Sequence, residues 1–224
     1  MPLFYQQHIN QSTRLAIWKI EESESFFSET VPLQRDITHP HKRLQHLAGR
    51  YLLRFLFPDF PYSEILIADT RKPYLANEAY HFSISHCGDF AAAIVSKNER
   101  VGIDMEIPSE KIYRIAHKFV NEEESEMLEV ETANEQLTSN KLTNQQINKL
   151  TILWCAKETM FKWYALGNVD FRAMLQVNLK NIEQASTLEA FIKTPQQQIP
   201  LSISYHFLNP VCLTFTHTNP ITLK

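Results

Sequence analysis

Between His41 and Phe57 the apolar residues Leu44, Leu47, Tyr51 and Phe55 recur every three or four positions; beyond Pro58 the chain shows short apolar runs separated by turns. The first spacing predicts an amphipathic helix with one face on a core, ended by Pro58. Its other flank carries Arg43, His46, Arg50 and Arg54 at the same spacing, a basic stripe whose ordinary explanation is a solvated helix face. The runs that follow are His81 to Ser85, Phe90 to Ser96 and Val101 to Ile107, joined by Cys87-Gly88-Asp89 and by Lys97-Asn98-Glu99-Arg100 and closed by Pro108. Short runs joined by tight polar turns predict strands in an antiparallel meander. Leu15 to Ile20 reads as a further strand.

The second half repeats this order. A polar helical region is expected near Glu110 to Val130 and a strong helix over Thr151 to Leu166, ended by Gly167. Between them, residues 131–149 are rich in Asn, Gln, Thr and Glu and form either a mobile insertion or a polar helix. Strand-like runs return at Leu201 to Phe207 and Val211 to Thr216. Ser83-Ile84-Ser85-His86 is echoed by Ser202-Ile203-Ser204-Tyr205. Helix followed by strands in both halves points to two related α+β halves, with the division expected after residue 107 (1–107 and 108–224).

The 224 residues are 44% hydrophobic and 21% charged, with a formal net charge of −3. This is globular composition, and a dedicated nucleic-acid binder would be basic. No apolar run approaches membrane-spanning length, and Met1 to Arg14 lacks the apolar core of a signal peptide. Cys87, Cys155 and Cys212 are far apart and form no C-x-x-C pair. A cytoplasmic protein is expected, with no nucleic-acid or membrane partner.

Two segments carry candidate chemistry. In a strand over Val101 to Ile107, Val101, Ile103, Met105 and Ile107 would face a core. Asp104 and Glu106 would share the other face, about 7 Å apart at ~3.3 Å per residue. Paired carboxylates on a rigid strand suit Mg²⁺, which takes hard oxygen ligands and keeps waters and substrate phosphate oxygens. A half-buried strand with a wet acidic face explains the same pattern, and about one D-x-E is expected by chance in a chain of this size. In Trp154-Cys155-Ala156-Lys157-Glu158-Thr159-Met160-Phe161-Lys162, Trp154, Glu158 and Lys162 are spaced by four and share a helix face. That triplet is a surface ion pair beside a packed Trp, or a carboxylate and a cation brought to a phosphate. W-x-x-K-E is rarer, on the order of one in a hundred chains of this size. Arg71-Lys72-Pro73 sets cations in a proline-held turn, and Ser85-His86 ends a strand just before Gly88.

In chain order these pieces read K-R-x-x-x-L-A-G-R (Lys42 to Arg50), R-K-P-Y-L (Arg71 to Leu75), F-S-I-S-H (Phe82 to His86), V-G-I-D-M-E (Val101 to Glu106), F-V-N-E-E-E (Phe119 to Glu124) and W-C-A-K-E-T-M-F-K (Trp154 to Lys162). The series resembles the 4'-phosphopantetheinyl transferase superfamily, in its surfactin-synthetase-activating type. That pattern has G-K-P-x-L, F-N-I-S-H-S, G-I-D-I-E and W-x-x-K-E-A-x-x-K elements. The chain departs at Arg71 for Gly, Ser83 for Asn, Cys87 for Ser and Thr159 for Ala. Residues 1–40 and 170–224 carry no matching motif.

The resemblance implies a pseudo-dimer of two similar α+β halves, each a helix on a small antiparallel sheet, with coenzyme A held between them in a monomer. It implies transfer of the phosphopantetheine arm of coenzyme A to a serine of an apo acyl or peptidyl carrier protein. Asp104, Glu106 and Glu158 would hold Mg²⁺, and Glu158 would also take the serine proton. Lys162, Lys157 and His86 would bind phosphate oxygens; Lys72, Ser85 and Arg43 would hold the nucleotide end. Another magnesium phosphotransferase, or a non-catalytic module binding coenzyme A or a carrier, are the alternatives.

Overall fold

The computed structural model describes residues 2–33, 36–129, 142–180, 182 and 184–220. They form two compact units, one of residues 2–105 and 217–220 and the other of residues 106–216. The chain thus leaves the first unit between Met105 and Glu106 and returns to it at His217.

The first unit contains β1 (Leu3–His8), β2 (Thr13–Lys19), α1 (Glu24–Ser28), α2 (Pro40–Leu56), β3 (Ile65–Ile67), β4 (Pro73–Leu75), β5 (His81–Cys87), β6 (Phe90–Ser96) and most of β7 (Arg100–Glu106). Its main sheet is antiparallel with strand order β1-β2-β6-β5. The expected meander is therefore corrected. β5 and β6 form the hairpin, but β6 has β2 on its other side, and β7 is not part of this sheet. β6 is apolar at every position but its last, Ser96, and buried throughout, as a central strand under a helix must be. β3 and β4 pair as a separate two-stranded ribbon.

Helix α2 packs on β2, β5 and β6. Proline stands at its first position, and His39 caps it by accepting from the Lys42 N–H. Gly49 explains how close the helix comes: a Cβ there would lie 2.6 Å from Cγ2 of Ile84 on β5. The core beneath α2 gathers Leu47, Ala48, Leu52, Leu53 and Leu56 with Trp18, Phe82, Ala93 and Val95. The expected basic stripe is a solvated face only in part: Arg54 is exposed and Arg43 half-buried. His46 and Arg50 are buried, with Arg50 Nη1 3.1 Å from His46 Nδ1.

The second unit contains α3 (Lys111–Ile115), α4 (Glu122–Leu128), α5 (Asn144–Tyr164), β8 (Leu175–Val177), β9 (Thr187–Lys193), β10 (Gln198–Leu208) and most of β11 (Val211–Thr218). Strands β11, β10, β9 and β8 follow one another in an antiparallel sheet. Both units are thus α+β with antiparallel sheets. Helix α5 begins at Asn144, two turns before the expected start at Thr151. Its entry is a reciprocal cap: Thr143 Oγ1 accepts from the Gln146 N–H, and Gln146 Oε1 accepts from the Thr143 N–H. Residues 144–149 are therefore helical, whereas 131–141 lie outside the described residues. The C-terminal end turns through Ala165 at φ 64° and Gly167 at φ 73°.

The tetrapeptide echo falls on β5 and β10, but the two copies face oppositely. In β5 Ser83 and Ser85 are buried and Ile84 is half-buried; in β10 Ile203 is buried and Ser202 is exposed.

Candidate functional site

Alternation along β5 sends Ile84 toward α2 and the two serines the other way, onto β7. Ser83 Oγ accepts from the Ile103 N–H at 3.2 Å, and Ser85 Oγ donates to Asp104 Oδ1 at 2.7 Å. The F-S-I-S-H motif and the Ile103-Asp104 part of V-G-I-D-M-E are therefore joined within the first unit. Ser83, standing where the family pattern has Asn, holds the β7 backbone. Ser85 orients the carboxylate of Asp104.

Asp104 is 4% exposed, so the expected wet acidic face is corrected at this position. Glu106, at the end of β7, is half-buried, and Ile107, expected in a core, is 38% exposed. A carboxylate this deep needs hydrogen bonds or a cation to offset lost hydration, and Ser85 supplies one such bond. Among the described residues no three His, Cys, Asp or Glu side chains are gathered so as to hold a metal ion by themselves. The donor chemistry of Asp104 and Glu106 nonetheless fits magnesium. They are hard oxygen donors on one strand, and magnesium does not need a cage built wholly of protein.

The other sequence candidates of the first unit have distinct surroundings. His86 is exposed at the end of β5, and Lys72 is half-buried before β4. Arg43 is already engaged: Nε donates to Glu24 Oε2 at 2.8 Å, and Nη1 to the Ile37 carbonyl at 2.8 Å. Arg71, where the family pattern has Gly, adopts φ 64°. That is a left-handed backbone, which glycine takes at no steric cost. The departure keeps the turn and strains the residue.

In the second unit, every residue of α5 from Leu150 to Tyr164 is buried except Trp154, Glu158, Phe161 and Lys162. These four recur at helical spacing and form one half-exposed stripe, so the face expected for Trp154, Glu158 and Lys162 is present with Phe161 added. Trp154 meets two rings, 5.0 Å from Phe119 and stacked on Phe171 at 5.7 Å. Phe161 meets Phe171 at 5.5 Å.

Lys157 is the clear correction. Expected at a phosphate, it is instead wholly buried, and its ammonium reaches three protein oxygens. These are Glu124 Oε2 and the Phe119 carbonyl, both at 2.6 Å, and the Phe171 carbonyl at 2.9 Å. An ammonium has three protons, and each has an acceptor here. Glu124 is 1% exposed and also accepts from the Asn121 and Val177 N–H groups. Burial pushes the Glu124 carboxyl up and the Lys157 amine down from their ordinary values, against their mutual attraction. Glu124 was given no role from the sequence, although N-x-x-E at the start of a helix is a readable capping signal. Asn121 and Glu124 form that box.

Thr159, standing where the pattern has Ala, brings its own partner. Its buried hydroxyl lies 2.7 Å from Thr214 Oγ1 on β11.

Comparison with known proteins agrees with these motifs. The family model described as the 4'-phosphopantetheinyl transferase superfamily matches residues 100–216. The chain is 31% identical over 133 residues to enterobactin synthase component D of Escherichia coli K12, covering 54% of each chain. It is 31% identical over 123 residues to the 4'-phosphopantetheinyl transferase gsp of Aneurinibacillus migulanus, covering 54% of this chain and 46% of that one. The chain thus spans about half the length of the relatives it matches. No helix among the described residues is long and apolar enough to cross a membrane. With the matched region taking in β7, the Glu124 box, the W-x-x-K-E helix and the sheet beneath it, the chain belongs to the 4'-phosphopantetheinyl transferase superfamily.

Proposed function

We propose that the protein transfers the 4'-phosphopantetheine arm of coenzyme A to a serine hydroxyl of an apo acyl or peptidyl carrier protein. The observation that carries this is the α5 stripe. On a helix otherwise buried through this stretch, the carboxylate and cation of W-x-x-K-E-x-x-x-K, Glu158 and Lys162, stand on the half-exposed side. The buried Ser85–Asp104 bond adds a second motif whose polar atoms are already oriented.

The serine oxygen attacks the β-phosphorus of coenzyme A. A phosphorus–oxygen bond forms to the serine, the bond to the bridging oxygen breaks, and 3',5'-ADP leaves with that electron pair. Such transfer depends on alignment and charge neutralisation more than on covalent help. Glu158 accepts the serine proton, and Lys162 neutralises phosphate oxygens. His86, Lys72, Ser85 and Arg43 are assigned to the coenzyme, Ser85 chiefly through its hold on Asp104. Asp104, Glu106 and Glu158 are assigned to magnesium, which supplies charge stabilisation at the pyrophosphate when bound. The resemblance to the two-half type of the family supports a monomer, and three scattered cysteines with no disulfide framework support a cytoplasmic setting.

The test is incubation with coenzyme A, Mg²⁺ and a panel of apo carrier proteins, read by intact mass, with a parallel series in excess chelator. A carrier gaining the mass of phosphopantetheine only when Mg²⁺ is present is the expected result. Failure on every carrier, or full activity in chelator, contradicts the transfer or its metal respectively.

A further inference from the structure

We propose that Lys157 is a positioning residue: it holds, by their carbonyls, the two residues whose rings contact Trp154, and so fixes the stripe that presents Glu158 and Lys162. The inference rests on the transferase reading for its catalytic part only.

One nitrogen makes the arrangement. Lys157 Nζ bonds the Phe119 and Phe171 carbonyls, and the rings of those same two residues contact Trp154. Trp154 lies one helical turn before Glu158 on the half-exposed stripe. The segments ending at Phe119 and passing through Phe171 are far apart in sequence and are both fastened to α5 here. Glu124 locks the arrangement from the far side. Its Oε2 accepts from Lys157, and its Oε1 accepts from the Val177 N–H at the end of β8. Arg172 adds a bond between the same two segments, Nε donating to the Val120 carbonyl at 3.0 Å. Methionine can fill the lysine's volume but bonds none of the three oxygens. Arginine carries its donors on a planar fork and cannot present three protons from one nitrogen.

The experiment compares Lys157→Met, Lys157→Arg and Glu124→Gln with the unchanged chain. Ile203→Ala, in the buried face of β10, serves as a control for a general loss of stability. The first readout needs no activity: the near-ultraviolet circular dichroism of Trp154, isolated by subtracting the spectrum of the same chain carrying Trp154→Phe. The second is the split between kcat and the KM for coenzyme A. Both lysine variants should lose the Trp154 signal while Ile203→Ala keeps it at a comparable loss of melting temperature. Their kcat should fall roughly tenfold to a hundredfold, the scale set by small misplacements of catalytic groups, with KM changed little.

Glu124→Gln keeps an acceptor of the same shape and should show a smaller effect in the same direction. It decides the matter if Lys157→Met does not fold. An intact Trp154 signal with a raised KM for coenzyme A would return Lys157 to phosphate binding and overturn the proposal. Absence of transfer by the unchanged chain would sink the transferase reading, while the dichroism would still decide the role of Lys157.

Discussion

Lys157 and Glu158 are neighbours in the chain with opposite surroundings: the ammonium of Lys157 is sealed among three protein oxygens, and Glu158 stands on the half-exposed stripe of α5. A helix turns about 100° per residue, so one step takes the chain from the anchored side to the working side. The motif W-x-x-K-E thus joins a buried, fully bonded cation to a half-exposed carboxylate, the group proposed to react.

The reactive group can be separated from a simple metal ligand. Glu158→Gln keeps shape and one oxygen donor but cannot accept a proton at neutral pH. Its transfer rate should fall by roughly 10²-fold or more, the usual worth of a positioned base. Raised Mg²⁺ should not restore it. Glu106→Gln weakens a proposed metal ligand without touching proton transfer, so raised Mg²⁺ should restore it at least partly. Transfer rate against Mg²⁺ concentration for both variants decides; equal rescue would leave Glu158 a ligand only.

Gly49→Ala should destabilise the first unit through crowding. The new methyl would lie 2.6 Å from Ile84 Cγ2, a β-branched side chain with little freedom to move aside. Overpacking of this kind costs about 1–3 kcal/mol. Chemical denaturation measures it, and the double variant with Ile84→Ala, which removes the Cγ2 methyl itself, should lose less than the two single changes added together. An unchanged midpoint for Gly49→Ala would mean that α2 and β5 are not held in this contact.

Much of this fold could be read from spacing. The 3.6-residue period gave α2 to within a residue, a short apolar run between turns gave β6, and alternation closed by Pro108 gave β7. Pairing was less legible, because apolar runs do not say which neighbour they choose: β6 takes β2, and β7 leaves that sheet. β3, β4 and β8 are three residues each, too short for a period. β9 was missed although Leu188, Ala190 and Ile192 alternate inward. At the site, spacing by four placed Glu158 and Lys162 together correctly. The resemblance assigned Lys157 to phosphate, whereas its ammonium is buried against three protein oxygens. Burial of Asp104 was not legible, since D-x-E alternation fits a wet face equally well.

Glu99 should make the first unit acid-sensitive. Its Oε2 accepts from Asn10 at 2.8 Å and from Thr13, and Oε1 lies 3.0 Å from His217 Nδ1. Burial works against the charge, but the bonds from Thr13, Asn10 and His217 outweigh it and hold the carboxyl below its ordinary value of 4.5. A lowered carboxyl stabilises the fold above its unfolded-state value, and that stabilisation is lost as pH falls through the folded one. Glu99→Gln should therefore be less stable than the unchanged chain at pH 7, by about 1–3 kcal/mol for bonds to a charged group. The difference should shrink as pH falls below 4.5. Melting temperatures measured from pH 7 to pH 3 check this; a pH-independent gap would contradict it.

Thr159 and Thr214 should be coupled. Thr159→Ala restores the family's residue but leaves the buried Thr214 hydroxyl without its 2.7 Å partner. A loss of about 1–2 kcal/mol is expected for the single change. Thr159→Ala with Thr214→Val should lose less than the two singles added together. Additive losses across the double-mutant cycle would show that the hydroxyl pair contributes nothing of its own.

The central claim is transfer from coenzyme A to a carrier serine, and one measurement addresses it directly. An apo carrier protein and the same carrier with its acceptor serine changed to alanine are incubated with the protein, coenzyme A and Mg²⁺. Intact carrier mass and released 3',5'-ADP are followed together. Mass gain on the serine carrier alone, in step with an equal molar release of 3',5'-ADP, is the predicted result. Release of 3',5'-ADP without any mass gain, or mass gain on the alanine carrier, would contradict it.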